Sequence, residues 1–305
     1  MKVVPPVEIT PAKMIANNVP ENDNPAWSST ATYSIGQRVM LDHRNYEALA
    51  AVAAGVKPGA ETITATSPAK WLDLGPTNRW KMFNKRAGNT WAIGTVTTNP
   101  ESIDLTIRPA KRINSIGLVG VRASSLRIQM IVGGQVVYDV TKAMTIKAGG
   151  SWYRYYFGPF VTKDNLALLD LPAFSNADIR IVATAPGGTA EIGMMVIGMS
   201  SEIGWARWGT GLSFDSYSSV KEDDYGNVTI TPRGGRDAIE FDVAMYTKQV
   251  STAKRILQSL KDTAALYVGS ETVDPTVIVG RFDRLQLVLS NVAISEYSLE
   301  VRSLM

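Results

Sequence analysis

Polar and apolar residues alternate along residues 102–107 (Ser-Ile-Asp-Leu-Thr-Ile) and again along 125–132, the period of two that half-buries a β-strand. Residues 114–121 are more continuously apolar, and Gly133-Gly134 followed by 135–140 reads as the second arm of a hairpin. The runs 178–184 and 190–198 predict a further strand pair joined through Pro186-Gly187-Gly188. Many short strands with closely spaced turn signals predict a β-sandwich of jelly-roll-like order over residues 79–203.

The pattern changes past residue 204. Residues 237–246 alternate, with Ile239, Phe241 and Val243 on one face, and residues 221–227 form a polar turn leading into 228–232. Residues 248–262 place Val250, Ala253, Ile256, Leu257 and Leu260 at three-and-four spacing, which predicts one amphipathic helix. Residues 266–269, 277–280, 284–289 and 294–301 return to strand. The prediction for 204–305 is a β-barrel or sandwich carrying one helix, so the whole chain reads as mainly β. Its element order and its ending, Tyr297-Ser298-Leu299-Glu300-Val301-Arg302, resemble the barrel domains of phage distal-tail and tail-tube proteins.

The first 78 residues divide in two. Residues 1–23 carry Pro5, Pro6, Pro11 and Pro20, which suppress helix and predict an extended arm reaching toward a neighbouring protein. Residues 24–78 carry aromatic and glycine landmarks: Trp27, then Tyr33-Ser34-Ile35-Gly36-Gln37-Arg38-Val39, Tyr46-Glu47-Ala48, Gly55-Val56-Lys57-Pro58 and Trp71. This order resembles the short chitin-binding modules of bacterial chitinases, carbohydrate-binding families 5 and 12. The resemblance implies a small β-module whose candidate sugar contacts are Trp27, Tyr33, Tyr46 and Trp71. The tryptophan that stacks on a sugar ring in those modules is replaced here by Val56, which has no π-face. In so small a module the four aromatics are expected to form the core, with the fold kept and the platform lost. The continuation Trp71-Leu72-Asp73-Leu74-Gly75-Pro76-Thr77-Asn78-Arg79-Trp80 resembles tail-associated proteins of bacteriophages and prophages instead.

Composition narrows the chemistry. Among 305 residues, 31 basic and 28 acidic side chains leave a net charge of +3 with no concentrated basic stripe, which argues against a nucleic-acid partner. No apolar run is long enough to span a bilayer, and Met1 to Glu8 is broken by prolines, which is unlike a signal peptide. The chain has no cysteine and one histidine, His43, expected to be a solvated hairpin residue. That count excludes zinc sites built from His and Cys, and no Gly-x-Ser-x-Gly elbow supplies a nucleophile. Asp215 and Glu222-Asp223-Asp224 are the acidic cluster, read as a charged turn, and the paired glycines as turn residues. The expectation is therefore no catalytic residue, no metal ligand and no cofactor.

One cluster exceeds a plain core reading. Trp152, Tyr153, Tyr155, Tyr156 and Phe157 crowd together, and on a strand they would occupy both faces, making them candidate interface residues. The resemblances and the layout imply a structural component of a phage tail tip or baseplate, made in the host bacterial cytoplasm and located in the virion tail. Implied partners are other tail and baseplate proteins, copies of the chain around the tail axis, and a host-surface glycan. The alternative is a carbohydrate-binding protein for a cell-surface or chitin-like glycan.

Overall fold

The computed structural model describes residues 1–304 apart from 61–67, 84–94, 147–150, 158–160, 224, 272 and 289–291. The protein is mainly β, built from several antiparallel sheets. One sheet runs in the order Asn165–Leu168, Ser115–Arg122, Asp178–Gly198, Thr97–Ile107, Met14–Asn17. Ser125–Val132 also pairs with Asp178–Gly198 and carries Gln135–Ala143 on its far side.

The expected hairpin at Pro186-Gly187-Gly188 is absent. Residues 178–198 form one 21-residue strand that stays paired with Thr97–Ile107 along both halves. The register passes from Thr184 opposite Ser102 to Thr189 opposite Pro100, so the Pro-Gly-Gly segment is a bulge. Glu101, at φ +65°, sits across from it and accepts hydrogen bonds from Gly187 N at 3.1 and 3.2 Å. The first half of this strand also pairs with Ser125–Val132 and the second half with Ser115–Arg122. Because it changes partner midway, it bends around a single core containing Ile103, Leu105, Ile107, Leu118, Ile128 and Ile181.

The aromatic cluster is not a strand. Trp152–Phe157 is a short helix, α1, which stacks Trp152 on Tyr156 at 6.3 Å and sets Tyr153 against Phe157 at 5.2 Å. Both pairs are four residues apart, the spacing at which helical side chains meet.

The second large sheet runs Ser201–Glu202, Lys2–Val4, Ala265–Val268, Val277–Val288, Ile294–Ser303, Gly235–Tyr246, Trp205–Ala206, with Gly211–Ser216 also on Gly235–Tyr246. Helix α2, Val250–Ser259, is shorter than the predicted 248–262 because a 3-10 turn, Thr247–Gln249, precedes it. Its stripe is as expected: Ala253 and Leu257, with Leu260 just beyond, pack on Ile239, Phe241, Val243 and Leu299.

The amino-terminal residues expected to reach a neighbouring protein pair with this chain. Lys2–Val4 lies between Ser201–Glu202 and Ala265–Val268, and Met14–Asn17 pairs with Thr97–Ile107. Val3, Val4 and Val19 are wholly buried.

A third apolar cluster joins the two large sheets: Val119, Met194 and Val196 of one meet Val4, Leu266, Val268, Val277 and Val279 of the other. Gly117 lies at this seam, where an added Cβ would come within 2.3 Å of the Leu266 side chain and force it to shift. Asn165 Nδ2 donates across it to the Val277 carbonyl at 3.2 Å.

Candidate functional site

The small module is a three-stranded antiparallel sheet, Arg38–Leu41, Arg44–Ala48 and Trp71–Pro76. Its first hairpin turns on Asp42 and His43, both at positive φ, as a two-residue turn between twisted strands demands. The four aromatic candidates lie around one small core. Tyr46 and Trp71 are buried, at 8% and 6% exposure, beside Val39, Ala48 and Val52, and Trp27, Tyr33 and Val56 pack on them half-buried.

Polar atoms of two of them are hydrogen-bonded within the module. Trp71 Nε1 donates to the Val56 carbonyl at 3.2 Å, and the Tyr33 ring meets Trp71 edge-on at 5.2 Å. Tyr33 Oη accepts from Ser28 N at 2.7 Å. Burial pushes the Tyr46 phenol above its ordinary range, with Asp73 adding to the shift. Stacking a pyranose needs an open ring face; Tyr46 and Trp71 are buried, and Trp27 and Tyr33 are packed half-buried on the same core.

The more organised polar constellation is at the junction of this module with the sandwich. Glu21 comes from the amino-terminal arm, His43 from the module's turn, and Thr77 and Arg79 from the following segment. Glu21 Oε1 accepts from His43 Nδ1 at 2.8 Å and Thr77 Oγ1 at 2.7 Å, while Arg79 Nη1 stands 3.7 Å from Oε2. The expectation of a solvated hairpin histidine fails: His43 is held by Glu21 and lies against the ring of Trp80. Asp23 Oδ2 likewise ties Asn45 Nδ2 at 3.1 Å to Asn78 N at 2.8 Å.

Asn78 then fastens the segment to the sandwich edge. Its Nδ2 donates to the Thr98 carbonyl at 2.7 Å, and its Oδ1 accepts from Thr98 N at 3.0 Å. The 3-10 turn Asn78–Phe83 drops Trp80 and Met82 into the sandwich core, both almost fully buried. The residues from Gly75 to Trp80 thus form a hydrogen-bonded joint between the small module and the sandwich. Glu21 and Asp23 were not singled out in the sequence; the only signal there was two carboxylates closing a proline-rich arm.

The interface candidates are open. Trp152, Tyr153, Tyr156 and Phe157 are 68–79% exposed, while the Tyr155 side chain lies outside the described residues. The acidic cluster is turn chemistry. Asp223 Oδ1 accepts from Asn227 N at 2.8 Å and Tyr225 N at 3.0 Å, and Oδ2 accepts from Asn227 Nδ2 at 2.8 Å. These bonds, led by Asn227, hold the Asp223 carboxyl below the usual carboxylate range. Asp215 faces Arg236 Nε at 3.9 Å.

Between the two large sheets lies a cleft of about 500 Å³ lined by Val119, Arg122, Asp164, Glu191, Asp237 and Ile278, among others. Arg122 Nε stands 3.7 Å from Glu191, so the charge of that carboxylate is answered within the cleft. Among the described residues no three His, Asp or Glu side chains gather as a metal site, and no helix is long and apolar enough to cross a membrane. No protein-family model, curated protein or solved structure matches the chain.

Proposed function

We propose that this protein is a structural component of a phage tail tip or baseplate, packing against tail and fibre proteins. The observation that carries the reading is the hydrogen-bonded joint formed by the run that resembles phage tail proteins, Gly75 to Trp80, through Glu21, His43, Thr77 and Asn78. With the apolar seam between the two large sheets, it ties the small module and both large sheets together. Parts tied together in this way suit a component that holds its place in an assembly, and large exposed aromatics suit one that packs against neighbours. The small module supports the same reading as a spacer with its aromatics committed to its own core, not as a glycan reader.

The test is compositional. Particles purified from the host strain are analysed by quantitative mass spectrometry against the capsid subunit. The reading expects this chain at a fixed low ratio to the capsid subunit, retained through density-gradient purification. Its absence from purified particles contradicts the reading.

A further inference from the structure

The second large sheet carries a hollow of about 390 Å³ lined by Arg207, Asp242, Gln286, Glu296 and Ser298, among others. Phe241, Val243 and Met245 turn into the core, so alternation turns Asp242 and Tyr246 to the outer face. The register sets Gln286, Ser298 and Asp242 in one row across three neighbouring strands. Trp205, Ala244 and Glu296 form the next row on the same face. After Ala206 the chain leaves the sheet in a turn, which Thr210 Oγ1 closes by donating to the Arg207 carbonyl at 3.3 Å. The turn runs beside the hollow: Arg207 N donates to the Asp242 carbonyl at 2.8 Å, and an added Cβ on Gly209 would stand 3.3 Å from Asp242 Oδ2.

Two kinds of group meet here. Trp208, at the head of that turn, is 99% exposed, and the exposed rings of Trp205 and Tyr246 meet edge-on at 5.2 Å. Among the described residues the Asp242 carboxylate, the Ser298 hydroxyl and Gln286 Nε2 have no hydrogen-bond partner, while Gln286 Oε1 accepts from Arg284 Nη2 at 2.9 Å. Arg207 is paired with Glu296, which leaves Asp242 as the unanswered charge of the hollow. An open indole beside uncommitted carboxylate, amide and hydroxyl groups fits a sugar. The C–H face of a pyranose packs on the indole, and its hydroxyls donate to the carboxylate and accept from the amide. The volume is that of a small-ligand site, whereas the centre of a protein interface is depleted of charge. The free carboxylate disfavours an anionic sugar.

We infer that this face binds a pyranose unit of a neutral glycan, with Trp208 stacking on the ring and Asp242, Gln286 and Ser298 bonding its hydroxyls. The site is separate from the small module and goes beyond the tail-tip reading, which does not depend on it. One platform and few polar contacts limit a single site to a Kd of about 1 to 10 mM. Copies held in one assembly gain by avidity.

The test is saturation-transfer-difference NMR on the full chain with lactose, maltotriose, cellotriose and mannotriose, and with sialyllactose and glucuronic acid as anionic counterparts. At least one neutral saccharide at about 10 mM is expected to receive saturation, most strongly at the C–H protons of one ring face. Trp208→Ala is expected to weaken binding at least about fivefold, Trp208→Phe less, and Asp242→Asn is expected to weaken it as well. The Trp208 side chain is solvated, so an unchanged melting temperature is expected to accompany its loss of binding. Four results overturn the proposal: no neutral saccharide receives saturation, an anionic saccharide binds better than the neutral ones, transfer persists unchanged in both Trp208→Ala and Asp242→Asn, or Trp208→Ala alters only self-association in analytical ultracentrifugation, which marks a protein contact instead.

Discussion

The imidazole of His43 lies against the indole of Trp80, ring centroids 4.7 Å apart and planes inclined by 38°. His43 belongs to the turn of the small module and Trp80 to the core of the sandwich, so this contact and the Glu21 carboxylate beside it close the joint between two bodies. Removing the carboxylate leaves the His43 and Thr77 donors without their shared acceptor.

The variant Glu21→Ala is therefore expected to lose about 1–3 kcal/mol of stability and to make the segment around residues 75–80 more susceptible to protease. Thermal unfolding and limited proteolysis measure the two effects. An unchanged melting temperature and digestion pattern would show that the joint does not depend on Glu21.

Gly117 is expected to couple energetically to Leu266 across the seam. Gly117→Ala brings a methyl group into the Leu266 side chain and is expected to destabilise by roughly 1–3 kcal/mol. The double variant with Leu266→Ala recovers part of that loss, since the space it opens receives the new methyl. Strict additivity in denaturant titrations would mean that the two sheets do not press on each other at this point.

Tyr267 and Tyr297 give the fold an alkaline limit. Both phenols are buried, and burial drives their ionisation far above the ordinary range; Tyr297 Oη donates to the Ile203 carbonyl at 2.5 Å. Below about pH 10 the phenols are neutral in both states, and the stability tied to them is fully present. Above it the unfolded chain releases protons that the folded chain retains, so stability falls as pH rises. Tyr297→Phe is expected to cost about 1 kcal/mol near neutrality and less at pH 11, because phenylalanine cannot ionise. A cost that grows with pH over this range runs against the sign of the shift.

Sugar binding is expected to be weak. Isothermal titration of the full chain with chitooligosaccharides or host envelope polysaccharide is expected to give a Kd no tighter than about 1 mM, equivalent to about −4 kcal/mol. Micromolar binding would mean that the module reads a glycan although Val56 replaces the stacking tryptophan.

Strand character was legible because exposed and buried faces alternate with period two, and α2 because its apolar stripe follows a helical period. The sandwich core and the seams were less so, since pairing partners lie as far apart as Lys2 and Val268. Pro186-Gly187-Gly188 carried turn chemistry, but a bulge uses the same residues, and only the partner strand with Glu101 decides between them. Residues 152–157 were misread because five aromatics suggest strand by propensity, while their four-residue pairing, a helical signal, was outweighed. At the candidate sites, the core role of Trp27, Tyr33, Tyr46 and Trp71 followed from module size. The lock on His43 did not, because Glu21 is 22 residues away and joins it only through tertiary folding.

The central claim, a tail-tip structural role, is tested most directly by electron cryomicroscopy of the intact particle from the host strain. The account predicts density for this chain at the tip or baseplate, with its fused β-bodies fitting as one rigid unit. Density for the chain in the capsid, or an assembled tail tip whose density leaves this chain no place, would contradict it.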